Sequence, residues 1–307
     1  MEYVTLNDGF RMPVFGLGTW DLRGPACIEA IVQAVNTGYR LIDTAQLYRN
    51  EKEVGQGIRK SGISRDELFI TSKVISPDKT YDAVIKAVDR SLEDLGLEYI
   101  DLYLLHEPYD TAQEMYAALK KAQQEGKVRS IGISNFHKEK YSGFVKECGI
   151  VPAVNQVESH VYFMQKDLQE QMHAHGTVMQ GWAPFTEGRR KIFDEPLLKR
   201  IGEKYHKTSA QIALRSLLDN GICTIAKSSK PERLRVNIDI FDFRLTEEEL
   251  NVIFDCITQA NQIESIEVVF ATAAAAPKKE EPKKENKPAA KKPSKKGAKK
   301  NGENKRK

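Results

Sequence analysis

The strongest constraint on the fold of this chain is a sustained alternation. Short runs rich in β-branched and aliphatic residues occupy residues 14–18, 40–43, 68–72, 102–105, 129–133, 153–157, 178–182 and 224–226, eight in all, and longer amphipathic stretches separate them. Between residues 80 and 95, Val84, Ala87, Val88, Leu92 and Leu95 recur at steps of three and four, one apolar stripe on a helix, and Gly96 follows as a stop. Asn50 before residues 51–60, Gly38 after residues 28–37 and Gly126 after residues 114–125 are similar start and stop signals. Eight strands alternating with helices argue for an α/β chain folded as a closed parallel (β/α)8 barrel, though an open, doubly wound sheet produces the same alternation.

Outside this alternation the chain opens with a hairpin pattern, residues 3–6 and 10–12 flanking the turn residues Asn7, Asp8 and Gly9. It closes its folded part with a helical pattern over residues 246–260 and a short apolar segment ending at Phe270. Residues 271–307 contain no aromatic residue and no Val, Ile, Leu or Met, with 14 Lys or Arg against 4 Glu. Such a segment cannot bury enough apolar surface to offset its ordering entropy and reads as a disordered Lys/Ala/Pro-rich tail. The division is thus a barrel over residues 1–270 and a tail over 271–307. The net charge of +4 conceals an asymmetry, because residues 1–270 hold 33 basic and 39 acidic side chains and are acidic on their own.

Cys27, Cys148, Cys223 and Cys256 lie far apart without CxxC spacing, so no zinc site is expected and the four read as small buried hydrophobes of a reducing compartment. The first 13 residues lack the basic region and apolar stretch of a signal peptide, and no apolar run is long enough to span a bilayer. The expectation is a soluble, cytoplasmic protein without membrane partners, and a monomer.

Polar residues stand at the carboxyl ends of the inferred strands: Asp43, Lys73, His106, Ser134 with Asn135, Gln156, Trp182, and Lys227 with Ser228. In a parallel barrel these positions share one end, where active sites are assembled. The run Gly16-Leu17-Gly18-Thr19-Trp20 lacks the third glycine of a dinucleotide fingerprint and does not lead at once into a helix, which rejects a Rossmann reading. A better phosphate site is the stretch from Lys227 to Arg233, which enters a helix at Pro231 and gathers free backbone N–H groups, two hydroxyls and three cations. A solvated cationic loop is the plain alternative.

These residues together resemble the aldo-keto reductase family, especially bacterial members of the diketogluconate-reductase and glyoxal-reductase kind. The resemblance runs from about Tyr3 to Phe270. LIDTAQLYRNEKEVG carries it most specifically, with support from TSKV, LYLLHEPY, GKVRSIGISNF, NQVESHVY and KSSKPERLRVNIDIFDFRLTEEEL. It implies an NADP-dependent oxidoreductase that reduces aldehyde or ketone carbonyls (small aldehydes, dicarbonyls or keto-sugars), with Asp43, Tyr48, Lys73 and His106 as catalytic residues. A free phenol has a pKa of about 10, and a neighbouring ammonium favours the phenolate and brings that value toward the working range. Lys73 would supply the charge, Asp43 would hold Lys73 charged and aimed, His106 would orient the carbonyl, and Tyr48 would donate the proton.

For NADPH/NADP+, the resemblance places Ser134, Asn135 and Gln156 at the nicotinamide carboxamide and Trp182 on the ring face. Lys227, Ser228 and Arg233 would grip the 2′-phosphate and Asn237 the adenine, with Thr19, Asp43, Ala183 and Phe185 completing the coenzyme contacts. Trp20, Tyr48 and His106 would line the substrate pocket. Several positions depart from the family pattern: Glu107 stands where Trp or Gln is usual, Trp182-Ala183-Pro184-Phe185 replaces Tyr-Ser-Pro-Leu, Ala226 replaces a proline and Val236 a glutamate. Arg189 and Arg190 lie in a loop that either covers the pyrophosphate or is simply exposed. Only Pro108 to Asp110 separate the His106 strand end from the next helix, which implies an open pocket. Two other roles compete: a nucleotide-binding regulatory subunit, and a polyanion (nucleic acid) binding protein acting through residues 271–307.

Overall fold

The computed structural model describes residues 1–75 and 79–258. A two-stranded antiparallel hairpin, β1 (Tyr3–Thr5) and β2 (Arg11–Pro13), opens the chain, with Tyr3 opposite Pro13 and the turn reversed at Gly9, whose φ of 92° suits a residue without Cβ. Eight parallel strands follow: β3 (Phe15–Gly18), β4 (Leu41–Asp43), β5 (Phe69–Val74), β6 (Ile100–Leu105), β7 (Val128–Ser134), β8 (Val154–Glu158), β9 (Val178–Trp182) and β10 (Cys223–Ala226). Each pairs with its predecessor, and β10 returns to β3 with Thr224 opposite Phe15, so the sheet closes. That last pairing decides for the barrel over the open sheet.

Strand parity then sorts side chains between two cores. Leu41, Phe69, Leu102, Leu104, Val154, Cys223 and Ile225 form an inner cluster, and Leu6 and Met12 of the hairpin segment join it. Phe15, Leu17, Ile42, Ile70, Tyr103 and Leu105 belong to the larger cluster shared with the helices. Because successive side chains on a strand point to opposite faces, counting in twos from the inner residues is informative. Leu41 leads to Asp43, Phe69 through Thr71 to Lys73, Leu104 to His106, Val154 to Gln156 and Glu158. The residues expected to do chemistry sit on the inward face at the carboxyl ends.

The helices are α1 (Gly24–Thr37), α2 (Glu51–Ser61), α3 (Tyr81–Leu95), α4 (Ala112–Gln124), α5 (Lys138–Cys148), α6 (Lys166–His175), α7 (Pro196–Tyr205), α8 (Ser209–Asp219), α9 (Pro231–Ile238) and α10 (Glu247–Ile253). Gly38 and Gly96 end α1 and α3 in the left-handed region as the sequence implies, and Pro231 opens α9. Asn50 does precede α2, but its side chain makes no capping bond, since it is committed elsewhere. Thr246 closes a capping box with Glu249 at the start of α10. The expected helix over 246–260 is shorter and changes to a π-turn at Phe254–Thr258. The expected boundary at residue 270 and the whole tail lie outside the described residues.

α2 approaches α3 closely because Gly55 has no side chain: a Cβ there would lie 2.0 Å from the carbonyl oxygen of Leu95. Gly55→Ala should therefore destabilise the fold by about 1–3 kcal/mol through overpacking, even though alanine is the better helix former by roughly 1 kcal/mol. A urea midpoint equal to or above that of the wild type would contradict this. Among the described residues no helix is long and apolar enough to cross a membrane. Cys27 and Cys223 are buried and Cys148 is half-buried, while the side chain of Cys256 lies outside what is described. Burial pushes the Cys27 and Cys223 thiols up to about 12, which leaves them protonated and unreactive.

Candidate active site

Four elements bring the first group together. Asp43 ends β4, Lys73 sits one residue before the end of β5, and His106 follows the last residue of β6. Tyr48 ends a single 3-10 turn, Gln46–Tyr48, after which Arg49 takes a φ of 52° and turns the chain into α2. Gln46 ties this turn to α3 through the carbonyl of Ala87 (2.8 Å) and the hydroxyl of Ser91 (3.1 Å). The Arg23 guanidinium donates to the Tyr48 carbonyl.

Asn50 proves to be the pin of this region. Its amide donates to the carbonyls of Thr19 (2.9 Å) and Leu22 (3.0 Å), and its oxygen accepts from the Thr44 hydroxyl at 2.8 Å. One buried amide thus fixes the loop carrying Trp20 against the loop carrying Tyr48. This explains why it does not cap α2. The sequence marked Asn50 only as a helix start, because its partners are backbone carbonyls distant along the chain.

Lys73 is the hub. Its ammonium donates to Asp43 Oδ1 at 2.5 Å, to the Thr44 carbonyl at 3.1 Å and to the Tyr48 hydroxyl oxygen at 3.2 Å, so all three protons are directed. Asp43 Oδ2 accepts from Gln156 Nε2 at 2.7 Å, and the same nitrogen donates to Gln180 Oε1 at 2.7 Å. Around the Tyr48 ring stand Trp20, edge-on at 4.9 Å between centroids, and His106 at 5.7 Å. Trp20 is 46% exposed, so it rims an open approach to the phenol.

The electrostatics follow from burial. Burial works against the charge of Lys73, but Asp43 and Tyr48 outweigh it and hold its pKa above the ordinary value. Burial pushes Asp43 up, against the pull of Lys73 and Gln156. His106 falls to about 3, from burial first and the Lys73 charge second, and is a neutral imidazole throughout the neutral range. Tyr48 corrects the expectation drawn from the sequence: its pKa lies above that of a free phenol. Desolvation of the phenolate is the larger effect, and the lowering by Lys73 does not overcome it. That direction favours the neutral phenol over the phenolate.

The residues expected around the nicotinamide also meet. The Ser134 hydroxyl donates to the Gln156 carbonyl at 2.9 Å. Asn135, at φ 65°, donates to Glu107 Oε1 at 2.9 Å and to the His106 carbonyl at 3.2 Å, and accepts from the indole N–H of Trp182 at 3.0 Å. Thr19 donates to the Asp43 carbonyl from both its backbone N–H (3.0 Å) and its hydroxyl (2.9 Å), linking the ends of β3 and β4. Ala183 takes a φ of 51° just past β9, and Phe185 packs on Phe193 with centroids 5.3 Å apart.

At the end of β10 a second group forms. Ser228 is buried, and its hydroxyl accepts from the Lys230 backbone N–H at 3.1 Å. Asn237 is buried on α9, and the first turn of α9 has no side-chain cap. Lys227, Lys230 and Arg233 are exposed, and among the described residues none has an acidic partner. Unneutralised cations beside an open helix start fit a phosphate group.

Two features went unread in the sequence. Gln180 is buried on β9 two residues before Trp182, where counting in twos would have found it. Glu158, two residues beyond Gln156, ion-pairs with Arg189 and lies 3.1 Å from His160 Nε2. Burial alone would raise its pKa, but His160 and Arg189 bring it below the ordinary value. Arg190 lies over the Tyr162 ring at 5.0 Å. Both arginines of the loop after β9 thus have partners within the protein.

Comparison with known proteins agrees with this geometry. Residues 14–258 match the model of the aldo/keto reductase family. The chain is 42% identical over 254 residues to glyoxal reductase of Bacillus subtilis, covering 82% of this chain and 91% of that protein. It is 39% identical to methylglyoxal reductase of Yersinia pestis, covering 82% and 92%. The structure superposes on an aldo-keto reductase from Bombyx mori, solved in complex with NADP, with a TM-score of 0.80 and 34% identity over 86% of this chain and 95% of that one. The fold and site define a barrel oxidoreductase that acts on carbonyls with NADP(H). The chain belongs to the aldo/keto reductase family.

Proposed function

We propose that this enzyme reduces small aldehydes, dicarbonyls and keto-sugars with NADPH, and that Tyr48 gives the proton to the carbonyl oxygen. The observation that carries the reading is the Lys73 bridge, with Asp43 on one side and the Tyr48 hydroxyl on the other. When bound, NADPH supplies the hydride. Lys73 stabilises the tyrosinate left after proton transfer, and Asp43 keeps Lys73 charged. His106, being neutral, offers an N–H to the carbonyl without giving up a proton.

Gln156 has both its N–H groups engaged, which leaves its oxygen to accept from the carboxamide. Ser134 and Asn135 complete that contact, and Trp182 lies along the ring. Thr19, Ala183 and Phe185 flank the coenzyme, with Asn237 at the adenine. The short segment between β6 and α4 and the exposed Trp20 support a permissive pocket for small substrates. The names of the relatives, glyoxal and methylglyoxal reductases, support dicarbonyls in particular. A panel of such carbonyls, followed at the nicotinamide absorbance with NADPH and NADH in parallel, tests the reading; tight NADPH binding without turnover of any carbonyl would overturn it.

Coenzyme choice rests on Lys227, Ser228 and Arg233. A charge-assisted hydrogen bond contributes roughly 1.5–3 kcal/mol, so Arg233→Ala should weaken NADPH binding about 10- to 100-fold while leaving NADH nearly unchanged. Equal losses for both coenzymes, measured by fluorescence titration, would remove Arg233 from the 2′-phosphate.

A further inference from the structure

Glu107 has no part in the chemistry described so far, yet it lies one hydrogen bond from Asn135, the residue read above as a contact of the nicotinamide carboxamide. Its Oε1 accepts from Asn135 Nδ2 at 2.9 Å. The orientation of the Asn135 amide is fixed independently: the Trp182 indole N–H can only donate, and at 3.0 Å it holds the amide oxygen, so the NH2 must face Glu107 and the His106 carbonyl. Trp182, Asn135 and Glu107 therefore form one chain of hydrogen bonds, on the side of the site where the functional reading puts the nicotinamide, ending in a carboxyl group. The nicotinamide ring of NADP+ carries a positive charge and that of NADPH does not. A carboxylate beside it interacts differently with the two redox states, and a glutamine or tryptophan in its place would not.

We propose that Glu107 discriminates between the two forms of the coenzyme, its carboxylate favouring NADP+ over NADPH, so that binding of NADP+ releases a proton from Glu107 and binding of NADPH does not. The proposal rests on the functional reading above, through the placement of Asn135 at the carboxamide. Burial supports it, raising the Glu107 carboxyl to about 7 against the smaller pulls of the Asn135 hydrogen bond and the Lys140 ammonium of α5. Of the other charged groups nearby, His106 on the same segment is neutral, and Lys73 on β5 is committed to Asp43 and Tyr48. Glu107 thus changes charge where its environment can be read by titration.

The test is the ratio of dissociation constants for NADP+ and NADPH between pH 6 and pH 8, measured by tryptophan fluorescence. Taking a ratio cancels ionisation of the 2′-phosphate, which both forms share. For the wild type, NADP+ should gain on NADPH by about tenfold as pH rises across this range, because a group with a pKa near 7 in the free enzyme is ionised in the NADP+ complex. In Glu107→Gln the ratio should be flat and stay near the low-pH value of the wild type. Calorimetry of the wild type in two buffers of different ionisation enthalpy gives the same answer without a variant: at pH 6.5, more protons released with NADP+ than with NADPH, the 2′-phosphate contribution being common to both. A pH-independent ratio with both coenzymes bound, or the same slope in Glu107→Gln, overturns this proposal alone. If neither coenzyme binds, the functional reading falls and this proposal with it.

Discussion

Tyr48→Phe should lower kcat for carbonyl reduction by roughly 10²- to 10⁴-fold, the range lost with a general acid, and leave the dissociation constant for NADPH within about twofold. The substitution removes one oxygen and little else. Trp20 packs on the edge of the ring, which phenylalanine keeps, and Lys73 retains Asp43 and the Thr44 carbonyl. Among the described residues the hydrogen bond lost is the 3.2 Å contact from Lys73 to the hydroxyl. The same measurement separates an enzyme from a nucleotide-binding regulatory subunit, since a regulator would show no turnover for the substitution to remove. A variant that reduces carbonyls at the wild-type rate would show that the proton comes from elsewhere.

The direction of the Tyr48 shift adds a pH signature. A phenol held above its ordinary pKa is protonated through the neutral range, so reduction should be insensitive to its ionisation there. With Tyr48 in its proposed role, alcohol oxidation uses the phenolate as base and should rise with pH through the alkaline range. Parallel pH profiles of the two directions, wild type against Tyr48→Phe, check this.

Much of the candidate site was legible in the sequence, because a parallel barrel turns position along a strand into position in space. Asp43, Lys73 and His106 could be placed at one end from the strand pattern alone, and period-two counting from Leu41, Phe69 and Leu104 puts them inside. Tyr48 lies off the strands, and only the family resemblance singles it out. What the sequence did not reveal depends on contacts between distant segments. Asn50 looks like a helix cap, but its amide serves the Thr19 and Leu22 carbonyls. The sign of the Tyr48 shift depends on how completely the phenol is desolvated, which only packing determines. Glu158 and Arg189 meet across strand and loop, and nothing in either segment names the other.

Lys73→Met should abolish carbonyl reduction and destabilise the fold by about 3–5 kcal/mol, the cost of leaving one member of a buried ion pair without its partner. The side chains of Lys73 and Asp43 are each 1% exposed, and among the described residues the Asp43 carboxyl keeps Gln156 alone when the ammonium is gone. The carboxyl then has reason to stay protonated in the folded state, so its folded pKa rises further above the unfolded value. An acid of that kind binds more protons folded than unfolded, so stability is present at low pH and falls as pH rises above roughly 4, by about 1.4 kcal/mol per unit until the folded pKa is passed. The gap in urea stability between wild type and Lys73→Met should accordingly be wider at pH 8 than at pH 5. Adding Asp43→Asn removes the stranded charge, so the double variant should regain part of the stability and lose the pH dependence while remaining inactive. That separates the structural role of the pair from its proposed catalytic one, because in the proposed mechanism only the ammonium can support the tyrosinate. A Lys73→Met protein as stable as the wild type at pH 8 would mean that water reaches Asp43 and that the pair is not the buried unit its geometry implies.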